Sequence, residues 1–266
     1  MLKQTIKSAL NALGYDLTRV PRRKIHIPQS TSCTGRSGAP LRIEFLGPSG
    51  IGKTTLSEEL VRRRRKSDRW VLARELAVGG QNMIVSRNVE LDQHYAALLE
   101  LTIQSVAAKP IPVATKYWLL SFLHHNLMID WHLSRFGGGD PIVVEDGILH
   151  NFSPAIRALA ERQDNDNLDV LLRNRAVVYC YGSTDLLVER IEKRSREGRS
   201  RPQHEEKSSR ELCEQSSGVI RGTANVLALL RNYGLPCIEL DMADALHENA
   251  ERIRTFIQDT AQTQRG

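Results

Sequence analysis

The residues from Gly47 to Thr55 have the types and spacing of a phosphate-binding loop. They read Gly-Pro-Ser-Gly-Ile-Gly-Lys-Thr-Thr, and they fit the pattern G-x-x-x-x-G-K-[ST] at every position. Small residues let the backbone curl with its N–H groups pointing at a phosphate, and a following helix adds the positive end of its dipole. We therefore expect a bound nucleoside triphosphate. The predicted binding residues are Gly47, Pro48, Ser49, Gly50, Ile51, Gly52, Lys53, Thr54 and Thr55.

Two side chains of this loop have a predicted part in the chemistry. Lys53 would place its ammonium beside the β- and γ-phosphates, and the Thr54 hydroxyl is the expected ligand of Mg²⁺. Mg-ATP is therefore the expected cofactor.

An acid pair follows a second apolar run, Pro141-Ile-Val-Val, in the form Glu145-Asp146-Gly147. A strand that ends in acids delivers a carboxylate to the edge of the sheet where α/β proteins bind ligands. One carboxylate can hold the metal through water, and the other can take a proton from an acceptor hydroxyl. We take Glu145, where the strand ends, as the candidate metal ligand beside Thr54. Which acid is the base stays open.

Arginines cluster further along the chain. Arg190 and Arg194 are four residues apart on one helical face, and Arg199 and Arg201 follow Gly198. The planar guanidinium group suits phosphate oxygens, and a transferring phosphoryl group needs such donors. Arg194, Arg199 and Arg201 would then lie in a lid over about 194–210 that closes over the phosphates.

The elements that would position these residues alternate between strands and helices. A helix is expected over 53–66, and further helices separate the later strands. Short apolar strands separated by helices predict an α/β protein with a parallel sheet covered on both faces. The predicted strands span residues 41–46, 70–74, 141–144, 175–181 and 236–240.

The chain divides into a short N-terminal part, 1–40, and a compact domain, 41–266. Apolar residues at spacings of three and four over 2–17 indicate an amphipathic helix, and 28–40 is a Pro-, Gly-, Ser- and Thr-rich linker. The helix could dock on the domain or on a partner protein, or lie on a membrane surface. We expect a cytoplasmic protein, with peripheral attachment at the inner membrane face as the alternative.

Composition excludes several classes of function. The net charge of +6 suits a polyanionic small substrate, and with aromatic residues at only 5% nucleic acid is not an expected partner. The four cysteines are far apart without a CxxC pair, which argues against a zinc site or a disulfide framework.

Together, the loop, the acid pair and the arginine-rich segment resemble the P-loop kinases that phosphorylate small molecules, above all the thymidylate kinase-like and deoxynucleoside kinase groups. The resemblance implies a three-layer P-loop NTPase fold with a five-stranded parallel sheet, and ATP as phosphoryl donor. It also implies that the loop around 241–245 lies beside the adenine. Phe45-Leu46 stands where thymidylate kinases carry an acid, so the acceptor is not implied: a nucleoside, a nucleotide and a sugar-like molecule remain open.

Other classes of P-loop protein fit less well. The sequence has no Asn-Lys-x-Asp guanine signature, and its acid-bearing strand lies too far beyond Val78-Gly79-Gly80-Gln81 for an ABC-type ATPase. An ATP-binding regulatory or assembly protein without a small-molecule acceptor is the main alternative. A P-loop sulfotransferase is disfavoured, since it does not need the complete Gly-Lys-Thr with its metal ligand.

Overall fold

A computed structural model describes residues 39–79, 92–136, 139–198 and 207–264. The predicted N-terminal helix, nearly all of the linker, and Arg199 and Arg201 lie outside these residues. Within the described ranges the strands are β1 (Arg42–Leu46), β2 (Val71–Leu72), β3 (Ile142–Val144), β4 (Arg175–Tyr181) and β5 (Cys237–Asp241). The helices are α1 (Lys53–Arg62), α2 (Ala73–Gly79), α3 (Gln93–Ala107), α4 (Val113–Ser134), α5 (Ile148–Asn151), α6 (Ser153–Glu161), α7 (Asn165–Leu172), α8 (Thr184–Arg196), α9 (Ser209–Asn232) and α10 (Leu246–Thr263).

The described strands form one sheet in the order β2-β3-β1-β4-β5, and every neighbouring pair is parallel. The central strand β1 pairs with β3 on one side and β4 on the other, with Glu44 opposite Val144 and Leu46 opposite Tyr179. Parallel strands end at the same edge of a sheet. The phosphate-binding loop after β1 and the acids after β3 therefore lie at one edge, as the sequence predicts.

Helices cover both faces of the sheet, which confirms the predicted α/β, three-layer class. One face packs on α1, α8 and α10 through residues such as Leu56, Ile191 and Ile253. The opposite face packs on α3 to α7 through residues such as Leu98 and Phe152. Each core cluster also receives side chains of α9. The two-sided burial explains why the strands lack the apolar–polar alternation of a half-exposed sheet.

Two elements are shorter than the sequence predicts. Helix α1 ends at Arg62 instead of residue 66, and Arg62 and Arg63 fold back on Glu59 at 2.7 and 2.5 Å. Strand β2 has only two residues because the chain turns into α2 at Ala73. The Glu75 carboxylate accepts the Leu72 N–H at 3.0 Å, which satisfies a backbone donor on the outer side of this edge strand.

Candidate functional site

The loop after β1 is shaped by glycines at places where no other residue fits. At Gly47 an added Cβ would overlap the carbonyl oxygen of Cys180, at the end of β4. Gly52 caps the start of α1 with a left-handed φ of 106°, a conformation that side chains strongly disfavour. Close approach at one end and backbone conformation at the other therefore fix the curl of the loop.

The start of α1 is suited to an anion. Among the described residues, no side chain caps this helix and no acid lies in its first turn. Its leading N–H groups are therefore left to a ligand, and the helix dipole favours negative charge there. Lys53 is buried, and its Nζ donates to the carbonyls of Gly47 at 2.8 Å and Pro48 at 3.3 Å. The ammonium thus lies within the curl of the loop, where the sequence places the β- and γ-phosphates.

Glu145 and Asp146 leave the sheet at the end of β3, beside this loop. Asp146 is exposed, whereas Glu145 has a side chain only 19% exposed. Arg74, at the start of α2, has its Nη1 3.4 Å from Glu145 Oε1. Burial raises the pKa of Glu145, and the neighbouring Ser57 hydroxyl and Arg74 guanidinium act in the opposite direction. The pair thus offers one half-buried and one solvated carboxylate.

The residues at this edge fit a divalent cation such as Mg²⁺. Ser57 lies one turn beyond Thr54 on α1 and adjoins Glu145, so the helix that carries Thr54 packs beside the end of β3. Ser57 Oγ and Glu145 Oε1 are buried, and within the described residues neither takes part in a well-aligned hydrogen bond. Hydroxyl and carboxylate oxygens are the ligands that Mg²⁺ prefers, directly or through its waters.

A cleft of about 290 Å³ opens on the other side of the loop. Its walls are the loop itself, the last turns of α8 with Arg190 and Arg194, and the segment after β5 with Met242 and Asp244. The segment expected beside the adenine therefore adjoins the phosphate-binding loop. Arg194 lines this cleft, and Arg199 and Arg201 are outside the described residues.

Arg190 has a role that its sequence position did not reveal. Its Nη1 donates to the carbonyl of Ile51 inside the loop, and its Nη2 donates to the carbonyl of Met242 at 2.7 Å. The guanidinium group therefore ties the phosphate-binding loop to the segment after β5. We had grouped Arg190 with the phosphate-binding arginines, but in this structure it binds backbone oxygens.

A buried ionic cluster lies beneath the acid pair, on the α3–α7 side of the sheet. Arg175 of β4 is fully buried and bonds Glu44 of β1 and both oxygens of Asp130 of α4, at 2.9 and 2.6 Å. Arg42 and Tyr95 also donate to Asp130 Oδ2, at 2.9 and 2.6 Å. These five residues are called the Arg175 cluster below.

Charge pairing decides the protonation of this cluster. Burial works to raise the pKa of Asp130, but Arg175 and Arg42 lower it to about 2. Burial raises the pKa of Glu44 despite the opposing effect of Arg175, and burial next to Asp130 raises the pKa of Tyr95 to about 12. Asp130 is thus held as an anion between two guanidinium groups.

The predicted site residues converge as far as the structure describes them. The loop, Lys53, Thr54, Glu145, Asp146 and Arg194 all lie at the carboxyl edge of the sheet. Sequence reasoning missed Ser57, Arg74 and the Arg175 cluster. Arg74 is the last residue of a predicted strand, which was a usable signal. Nothing local to Glu44 or Arg175 marks them, because their roles depend on partners far along the chain.

The solved structures that match this chain include small-molecule kinases of low sequence identity. A gluconokinase from Sinorhizobium meliloti is 17% identical, with 85% of this chain and 96% of that chain covered and a TM-score of 0.37. A shikimate kinase from Acinetobacter baumannii in complex with shikimate is 17% identical, with 83% and 94% covered and a TM-score of 0.42. A deoxyadenosine kinase from M. mycoides with bound dATP is 16% identical, with 82% and 99% covered and a TM-score of 0.43.

These similarities are too distant to say what this chain binds. No protein-family model matches the sequence, and no curated protein matches it either. Within the part of the chain that the structure describes, no helix has the length and apolar character needed to cross a membrane.

Proposed function

We propose that this protein is a kinase that transfers the γ-phosphoryl group of Mg-ATP to a hydroxyl of a small molecule. One observation carries the proposal: the phosphate-binding loop lies between an arginine-lined cleft and an acid pair. Arg190 and Arg194 line the cleft on one side of the loop, and Glu145 and Asp146 lie on the other side of the loop. A protein that only held a nucleotide would need the cleft but not a second carboxylate beside it.

On the donor side, the chain's own groups would bind and orient the triphosphate. The N–H groups of the loop and of the first turn of α1 would hold the β-phosphate, with the Lys53 ammonium beside the γ-phosphate. Thr54 and Glu145 would hold Mg²⁺, which when bound neutralises charge on the phosphate oxygens. Arg194 would stabilise the charge of the transferring group, joined in the proposal by Arg199 and Arg201.

On the acceptor side, a carboxylate would take the proton of the attacking hydroxyl. The acceptor oxygen forms a bond to the γ-phosphorus, the bond from that phosphorus to the β–γ bridging oxygen breaks, and ADP leaves. The proton passes to Glu145 or Asp146. With Glu145 on the metal, Asp146 would be the base, and its exposure favours access to an acceptor. If the two roles are exchanged, the raised pKa of Glu145 favours it as the base. The proposed acceptors are a nucleoside, a nucleotide or a sugar-like molecule.

The test follows the label of γ-labelled ATP in a panel of nucleosides, nucleotides and sugars. A thermal-shift screen of the same panel with ADP and Mg²⁺ selects which acceptors to include. The proposal expects label in one acceptor class. Label released only as inorganic phosphate, whatever the acceptor, would contradict it and favour the alternative of an ATP-hydrolysing regulatory or assembly protein.

A further inference from the structure

The turn that carries the acid pair rests directly on the buried carboxylate of Glu44. Glu44 Oε2 accepts the N–H of Leu149 at 2.9 Å, three residues beyond Asp146. Gly147 lies between them, and an added Cβ there would overlap the Glu44 carboxylate. The φ of Gly147 is −84°, which any residue can adopt. Glycine is therefore needed at this position for space, so that the turn can approach Glu44.

The Arg175 cluster holds Glu44 from the opposite side. Glu44 is completely buried, and its Oε1 accepts from Arg175, which Asp130 in turn engages with both oxygens. A buried carboxylate with both oxygens bonded has little freedom to move, because losing either bond would leave a buried charge unsatisfied. The anchor under the acid turn is thus rigid.

We propose that Glu44 is a positioning residue that fixes Glu145 and Asp146 relative to the phosphate-binding loop. Glu44 lies in β1, and the phosphate-binding loop directly follows this strand. The hydrogen bond from Leu149 to Glu44 therefore holds the acid turn at a fixed distance from the loop. This inference rests on the nucleotide-binding part of the proposed function. Its expected effect is on the metal-dependent part of nucleotide binding, since the acids act there and the loop binds phosphate without them.

The test measures ADP affinity by calorimetry in Mg²⁺ and again in EDTA, for wild type and Glu44→Gln. An amide has one acceptor oxygen where the carboxylate has two, so the variant must lose either Arg175 or Leu149 as a partner. We expect the tightening by Mg²⁺ to fall about 10-fold, as for other groups that orient metal ligands. Affinity in EDTA should change less than about 2-fold, the size of effect expected for sites without contact.

Asp130→Asn is the matched control, because it weakens the same cluster but keeps both hydrogen-bond partners of Glu44, Arg175 and Leu149. It should lower the free energy of unfolding. The ratio of ADP affinity in Mg²⁺ to ADP affinity in EDTA should stay at the wild-type value. If Glu44→Gln does not fold, Gly147→Ala displaces the turn from the other side of the contact and should lower the ratio likewise.

Two results would overturn the inference. A folded Glu44→Gln or Gly147→Ala protein with the wild-type ratio would show that Glu44 only stabilises the fold. Wild-type protein that binds no ADP would remove the proposed function and this inference with it. The first of these results would leave the kinase proposal standing.

Discussion

Strand β1 and the loop that follows it are held in place by different kinds of interaction. At its carboxyl end, the loop from Gly47 to Gly52 uses backbone: left-handed glycines, uncapped N–H groups and carbonyls that hold Lys53. Inside the strand, Arg42 and Glu44 use charged side chains that are buried and paired across the sheet. The loop leaves backbone N–H donors for a ligand, whereas the buried charges of the strand are paired with other buried side chains. Ligand binding and rigidity are thus separated within a few residues.

The largest expected effect is that of Lys53→Ala on phosphoryl transfer. Removing the ammonium takes away a charge that acts on the transferring group, and the rate should fall by about 10³-fold, equivalent to about 4 kcal/mol. The free energy of unfolding should change by less than about 1 kcal/mol, because the Lys53 ammonium donates to the carbonyls of Gly47 and Pro48, which belong to its own loop. Steady-state kinetics measure the transfer rate, and a urea titration measures the free energy of unfolding. Retained activity would mean that the loop is not the catalytic phosphate site.

Asp130→Asn should destabilise the fold and leave nucleotide binding nearly unchanged. The variant leaves Arg42 and Arg175 without their shared anion, and breaking a buried pair costs about 3–5 kcal/mol. Nucleotide affinity of the folded protein should stay within about 2-fold of wild type. Urea denaturation and ADP titration test this. An unchanged unfolding midpoint would show that the cluster does not hold the fold together.

The difference in stability between wild type and Asp130→Asn should depend on pH. The folded-state pKa of Asp130, about 2, lies below the usual 3.8, so the ionised carboxylate stabilises the fold above about pH 4. This contribution is lost as the pH falls towards 2. The stability difference between wild type and Asp130→Asn should therefore narrow between pH 5 and pH 2.5 in paired urea titrations. A constant difference would argue that the carboxylate is not ionised by its guanidinium neighbours.

Arg190→Gln should have the smallest of these effects. It removes the charged donors to Ile51 and Met242, and hydrogen bonds from charged groups are worth about 1.5–3 kcal/mol. We expect ADP affinity to fall about 10-fold, with part of the loss seen for adenosine as well. An exposed arginine of the same helix, Arg196→Gln, is the control. Loss confined to ligands with a γ-phosphate would show that Arg190 acts on the phosphates themselves.

The sequence predicts one side of this comparison well and the other hardly at all. The phosphate-binding loop is local: nine consecutive residues specify its glycine conformations, its lysine and the helix that follows. Glu145 was also predictable, because an apolar run precedes it. The partners of Glu44, in contrast, are 131 residues away at Arg175 and 105 residues away at Leu149. A glutamate in a strand that is covered on both faces needs a partner, and only the packed sheet shows that this partner is the Arg175 guanidinium.

The short helices between β3 and β4 illustrate the same limit. Helices α5, α6 and α7 were not predicted as separate elements, since each is only four to nine residues long. Their ends are set by tertiary contacts, such as Leu149 on Glu44, and by the cap of α7 at Asp164. Such helices give too few turns for hydrophobic periodicity to be recognised.

The most direct test of the central claim is ³¹P NMR of the protein with ATP, Mg²⁺ and the acceptor that the screen selects. We expect a new resonance of the phosphorylated acceptor that grows in equal amount with ADP, in wild type but not in Lys53→Ala. ADP accompanied only by inorganic phosphate, in the same amount with and without the acceptor, would contradict it.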